Sequence, residues 1–270
     1  MLRRLVLMLL LGLAVVPVAH AADLTPMQQY ELGMRYMKRG YYNKALEAFN
    51  KVRNYHRDDP ASVLAELAIA DLNFKKGDYE QARLAYQDFA RLHPRQKKLD
   101  YVIYREGLSV YRRAPKYAGR DQTATMQALT TWAGFATRFP DSEYKSDVET
   151  YLDKCRERLA SKEWFVAHFY ARRDAWRAVK MRTTTLLEKY PSSKRVPEAL
   201  ALRGEALHAW GDVHGAQGMY DALKKDYPDA RPTERLARIL QTPAGSPPKE
   251  ETFVRPYRVS ADEQAPAGGS

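Results

Sequence analysis

Only one cysteine occurs in 270 residues. No disulfide can form within the chain, and thiolate metal cages are ruled out with it. That residue, Cys155, shares a helical face with Val148, Tyr151, Leu152 and Leu159, which predicts a buried structural thiol. Histidine is sparse too, and His56, His93, His168, His208 and His214 fall at no ligand spacing, so no metal site is expected. The glycine loops GxGxxG and GxxxxGK and the nucleophile element GxSxG are all missing. We therefore expect no enzyme and no cofactor. A basic stripe of the kind that tracks nucleic acid is also lacking, so nucleic acid is not an expected partner. Beyond residue 16 no apolar run is long enough to cross a bilayer. Strand-like alternation is scarce as well.

The one apolar run lies at the start. Arg3 and Arg4 precede Leu5 to Val16, and Ala19-His20-Ala21 follows, the layout of a signal peptide over residues 1–21. Cleavage would leave a mature chain from Ala22; an uncleaved anchor is the alternative. Losing the two arginines takes the formal charge from +11 to +9. That excess fits acidic headgroups, an acidic protein surface or plain solubility.

What the chain does hold is a repeat. The stretch from Leu64 to Pro94 places Ala70 ahead of Gly77 and Ala82, Tyr86, Phe89 and Pro94 behind it, at the offsets of the tetratricopeptide pattern, two antiparallel helices in about 34 residues. Alanines permit close helix approach, Tyr86 and Phe89 fill the space, Gly77 caps the first helix in the left-handed conformation, and Pro94 stops the second. Repeats matching this one predict an all-α, right-handed superhelical tetratricopeptide solenoid of about five helix pairs, over residues 22–240. The expected repeats are 25–60, 61–94, 98–140, 142–191 and 196–228, then a capping helix at 232–240 with Glu234, Arg235 and Arg238 on its polar face. Thr25-Pro26 is a helix start, a capping hydroxyl before a proline.

Several places depart from the pattern. About nine residues, Pro115 to Thr123, are inserted inside repeat three; this loop is either part of a binding face or a tolerated surface insertion. Within it Arg120, Asp121 and Gln122 are candidate partner contacts. Ala128, Trp132, Phe135 and Pro140 then keep register as one second helix. No proline or glycine interrupts Ser142 to Arg173, which predicts one long helix, or two bent near Ser161, and Asp174 stands where glycine is usual. The tail over 241–270 is rich in Pro, Gly and Ala and is expected to be disordered, with Phe253, Val254 and Tyr257 a docking segment or simply part of a flexible end.

In stacked helix pairs the first helix of each lines a groove. Consensus counting assigns Tyr30, Met34, Met37 and Lys38 in repeat one, and Leu67, Asp71, Phe74 and Lys75 in repeat two. Repeat three adds Tyr101, Tyr104, Leu108, Arg112 and Arg113, and repeat four Trp164, His168 and Arg172. Aromatic, thioether and cationic groups together suit an extended peptide with apolar side chains and a carboxylate. About half of these residues are expected to pack against neighbouring repeats instead.

The segments GDYEQARLAYQDFARLHP, DYVIYREGLSVY, RDQTATMQAL, PDSEY and LDKCRERLASKEWFVAHFYARR, in that order, resemble the BamD family, the tetratricopeptide component of the outer-membrane β-barrel assembly machinery. The likeness covers about Thr25 to Ala230. It implies a non-enzymatic periplasmic scaffold, peripheral at the inner face of the outer membrane. Implied partners are the large barrel subunit, met through its periplasmic POTRA-type domains, other subunits of the machinery, and the aromatic-rich C-terminal signals of unfolded outer-membrane proteins. Members are typically lipoproteins with a cysteine closing the signal peptide. Ala19-His20-Ala21 stands there instead, so association through partners or weak electrostatics is expected. Two other readings are a Tol-Pal-associated tetratricopeptide protein and an accessory domain of a cell-wall enzyme. The first lacks its N-terminal coiled coil and the second a catalytic domain.

Overall fold

The computed structural model describes residues 24–246; the signal-peptide stretch and the tail residues Phe253, Val254 and Tyr257 lie outside them. Among the described residues there are twelve α-helices and no strand. None of these helices is long and apolar enough to cross a membrane. The chain divides into two compact units, one up to Lys76 and one from Gly77.

The first unit holds α1 (Pro26–Lys38), α2 (Tyr42–Tyr55) and α3 (Pro60–Lys76). Thr25 starts α1 with a reciprocal capping box: Gln28 N–H donates to Thr25 Oγ1 at 3.2 Å and Thr25 N–H to Gln28 Oε1 at 3.0 Å. Both α1 and α3 pack against α2. The core they share is Ala45, Phe49 and Val52 of α2 with Ala61, Ala65, Ala68, Ile69 and Leu72 of α3. Alanine on the buried face of α3 is what brings two helix backbones close.

The second unit runs α4 (Tyr79–Leu92), α5 (Leu99–Arg113), α6 (Thr123–Thr131), α7 (Phe135–Arg138), α8 (Lys145–Ala171), α9 (Trp176–Lys189), α10 (Val196–Ala209), α11 (Val213–Asp226) and α12 (Arg231–Leu240). Neighbours in sequence pack as hairpins: α4 on α5, α8 on α9, α10 on α11. Gly77, ahead of α4, has φ +88°, the left-handed conformation the repeat pattern requires. Asp174 takes the same conformation at φ 53°, so the residue standing at the glycine position does the glycine's geometric work.

Two expectations change here. The second helix of repeat three is broken: α6 ends at Thr131 and α7 begins at Phe135, because Gly134 between them is left-handed (φ 71°) and cannot continue a helix. Arg235, expected on the outer face of α12, reaches Glu205 of α10 instead, with Nη2 2.6 Å from Oε1. Burial holds the Glu205 carboxyl above the usual range, and the arginine opposes that.

The long helix is continuous. α8 spans 27 residues without a break at Ser161, about 40 Å at 1.5 Å per residue. It buries Val148, Cys155, Leu159, Ala160 and Ala167. Burial pushes the Cys155 thiol up to about 11, against the pull of Arg158 and Arg156, so it is a protonated packing residue near neutrality. The first residues after α12 are held: Gly245 N–H donates to the His208 carbonyl at 3.1 Å.

Candidate partner-binding surfaces

The first unit brings part of the expected groove together from α1 and α3, which pack on each other as well as on α2. Tyr30 lies half-buried, its ring 5.8 Å from that of Phe49. Burial raises its phenol, and the nearby Asp71 carboxylate raises it further, which puts α1 and α3 side by side at this point. Met37 also packs on the core. Met34, Lys38 and Lys75 are exposed, while Asp71 and Phe74 are half-buried. Leu67 is a correction: at 8% exposed it belongs to the core, because the buried alanine stripe of α3 carries it inward.

In the second unit α5 positions Tyr101 and Tyr104, both against Tyr144, which immediately precedes α8. Tyr104 stacks on Tyr144 at 4.8 Å with planes 13° apart, and Tyr101 lies 5.6 Å from the same ring. Tyr104 also donates its hydroxyl proton to Asp147 Oδ2 at 3.4 Å. Burial is the main cause of its raised phenol, with Asp147 next. Consensus counting missed Tyr144, since it falls in the turn before a helix; the only signal was an aromatic in PDSEY. Leu108, expected in the groove, is buried at 4%. Arg112 is exposed, whereas Arg113 pairs with Glu80 of α4, which also takes Arg83 at 2.7 Å. The Arg83 hydrogen bond, above all, holds the Glu80 carboxyl below its usual value.

Farther along, Trp164 stacks on His168 at 5.3 Å and lies under the Arg195 guanidinium at 4.4 Å. It packs against the cluster of Ala160, Leu186, Val196 and Ala199. Burial and the charges of Arg172 and Arg235 hold the His168 imidazole below its ordinary value, so it is neutral at pH 7. Trp164 is thus packing more than lining.

The insertion inside repeat three is held by its own side chains. Gln122 is 1% exposed, and its amide nitrogen donates to the Tyr117 carbonyl at 3.0 Å and lies 3.4 Å from those of Pro115 and Arg120. Its Oε1 accepts from Thr125 Oγ1 at 2.6 Å. Asp121, one residue before the N-cap of α6, accepts from the Thr123 hydroxyl at 2.9 Å and from the Thr123 N–H at 3.3 Å. Gln122 therefore cannot be a partner contact: its hydrogen-bonding capacity is spent inside the loop, and a buried amide is costly to unpair. Arg120 is exposed, as are Lys116 and Tyr117. The Tyr117 ring meets Phe165 of α8 at 5.6 Å, edge to face.

The fold defines a class: an all-helical, helix-pair repeat protein whose surfaces present aromatic, thioether and basic side chains. A family model described as YfiO, outer membrane lipoprotein, matches residues 22–223, and this chain belongs to that family. Similar curated proteins include the outer membrane protein assembly factor BamD of Pasteurella multocida, 30% identical over 66% of this chain and 72% of its own length. The protein of the same name from Xylella fastidiosa strain 9a5c is 28% identical over 78% of this chain and 75% of its own. Among solved structures, the TPR2AB-domain:pHSP90-complex of yeast Sti1 aligns with a TM-score of 0.39 at 14% identity, covering 80% of this chain and 83% of that one. At that score the fold assignment rests on the helices described above.

Proposed function

We propose that this chain is a non-enzymatic scaffold of the outer-membrane β-barrel assembly machinery. It would act in the periplasm, peripheral at the inner face of the outer membrane, with repeats dividing where the prolines fall. The observation that carries this reading is the family match across residues 22–223, together with relatives that bear the name assembly factor. The partners we infer are the barrel subunit with POTRA-type domains, other subunits, and C-terminal peptides of unfolded outer-membrane proteins. The one cysteine does not serve as a lipid site, because Cys155 is wholly buried in α8.

Cross-linking in cells followed by mass spectrometry tests the assembly. Recovery of the large barrel with its periplasmic domains is the expected result. Recovery of Tol-Pal or cell-wall proteins without that barrel refutes the reading.

For peptide recognition, the first unit's face of Tyr30, Met34, Lys38, Asp71, Phe74 and Lys75 offers a thioether and two cations at its exposed rim. The pair Met34→Glu and Lys75→Glu should weaken a peptide ending in phenylalanine at least tenfold, since like charge would meet its carboxylate. Unchanged binding by a folded double variant means the peptide sits elsewhere.

A further inference from the structure

The second unit contains a cleft of about 880 Å³ that the groove assignments do not include. Four segments wall it: α5 at Tyr111, the insertion before α6, the middle of α8, and the turn from α9 into α10. Six basic side chains line it against two acidic ones. The acidic pair is already engaged. Asp153 holds Arg156 at 2.8 Å. Glu157 Oε2 accepts from Ser193 Oγ at 2.8 Å and from Lys194 N–H at 3.1 Å, tying α8 to the turn before α10.

The remaining cations are Lys116, Lys154, Arg158, Lys189 and Lys194, and no carboxylate among the described residues lies within ion-pair distance of any of them. Arg158 is the positioned one. Its guanidinium lies 4.7 Å over the Tyr111 ring and Nη2 donates to the Tyr111 hydroxyl at 3.0 Å. Its Nη1 is buried with no acceptor. A guanidinium held by a ring and a hydroxyl in the cleft wall is a fixed positive charge with no carboxylate of the described residues against it.

We propose that this cleft binds an acidic, extended segment of a protein partner through at least two carboxylates. Five unpaired cations spread over three chain segments match several carboxylates along a strand better than one compact anion. The hydroxyls of Ser161 and Ser192 and the rings of Tyr111 and Tyr190 supply polar and flat surface for peptide groups between those carboxylates. An anionic bilayer is the weaker match, since the recess exposes cations inside a concave wall and offers no large aliphatic side chain for the acyl layer. The ordered insertion, with Gln122 as its internal tie, keeps Lys116 at the rim. The proposal does not depend on which machinery the partner belongs to.

The test uses the mature full chain and a fluorescein-labelled twelve-residue peptide of alternating Glu, Asp and Ser, read by anisotropy at two salt concentrations. Binding should weaken with salt, because exposed ion pairs are screened. Lys154→Glu with Lys194→Glu should weaken it at least roughly tenfold, as expected when two complementary charges are reversed. Lys224→Glu with Lys225→Glu on α11 changes net charge equally and should shift it less than about twofold. Both pairs are exposed lysines, so each variant keeps its fold, which circular dichroism verifies. Equal loss in both pairs shows non-specific attraction and overturns the proposal, as does no loss in the first pair. Binding to phosphatidylglycerol vesicles that depends on Lys154 and Lys194, with no peptide binding, assigns the cleft to lipid headgroups and overturns it too.

Discussion

A methyl group added at Gly107 tests the packing of the second unit most directly. Its Cβ would sit 2.8 Å from Cδ2 of Trp132 and closer still to Cε2 and Nε1. Trp132 cannot yield easily. It is fully buried, donates its indole N–H to the Tyr104 carbonyl at 3.3 Å, and stacks on Tyr151 at 5.4 Å. Overpacking of that kind costs about 1–3 kcal/mol, and the fixed indole puts it near the upper end. The gain in helix propensity from Gly to Ala returns about 1 kcal/mol. The net loss for Gly107→Ala is therefore about 2 kcal/mol, or about 4–8 °C in Tm for a chain of this size. Gly218 in α11 is the internal control, because a Cβ there meets nothing within 4 Å. Gly218→Ala should gain about 0.5–1 kcal/mol from propensity alone. Thermal and urea unfolding of the two variants should move in opposite directions. A Gly107→Ala protein as stable as the parent refutes the account of Trp132 as a wedge seated on a bare backbone.

Two further outcomes follow from buried polar groups. Desolvation raises the Glu106 carboxyl from 4.5 to about 7, with Arg83 pulling the other way. The folded state then holds a proton that the unfolded chain has released. Its full contribution is present below about 4.5 and is lost as pH rises towards 7, by up to about 3 kcal/mol. Glu106→Gln should thus outlast the parent in urea at pH 8 and match it near pH 4, and parallel pH profiles would refute this. Gln122→Ala removes the donor that serves the insertion's carbonyls, a loss of about 1–3 kcal/mol confined to that loop. Limited trypsin digestion at Lys116 and Arg120 should quicken several-fold while the global melt moves little; unchanged cleavage means the loop is held by something other than Gln122.

Much of the fold is legible because tetratricopeptide positions are dictated by local geometry. Gly77, Asp174, the capping pair Thr25-Pro26 and the unbroken run of α8 all follow from what a backbone or cap tolerates at one place. Groove positions depend on neighbours and were legible only in part. Leu67 and Leu108 share the consensus phase of the lining residues yet turn into the core, since each helix buries more than one stripe. Arg113 was placed by phase alone, and its partner Glu80 lies on the preceding helix, out of reach of any periodicity within α5. The break between α6 and α7 was hidden because Ala128, Trp132 and Phe135 hold helical spacing across it, while Gly134 sets the actual conformation.

Features that consensus leaves open are also the ones that make the second unit particular. A repeat helix needs only its small and aromatic positions to stack, so the remaining faces are free to vary. In this chain the variation is concentrated: the insertion tied by Gln122, the 27-residue α8 and the turn held by Glu157 all border one cleft. Long-range ties of that kind, such as Arg158 to Tyr111 and Glu157 to Ser193, contribute little to stacking because they bridge polar groups at a half-buried wall. They do fix where the unpaired cations stand. The insertion is tied by a buried glutamine, and no carboxylate among the described residues pairs with Lys116, Lys154 or Lys194. On the proposal that this cleft receives an acidic segment, the insertion is a recognition element, and charge reversal at Lys154 and Lys194 is the perturbation that separates recognition from architecture.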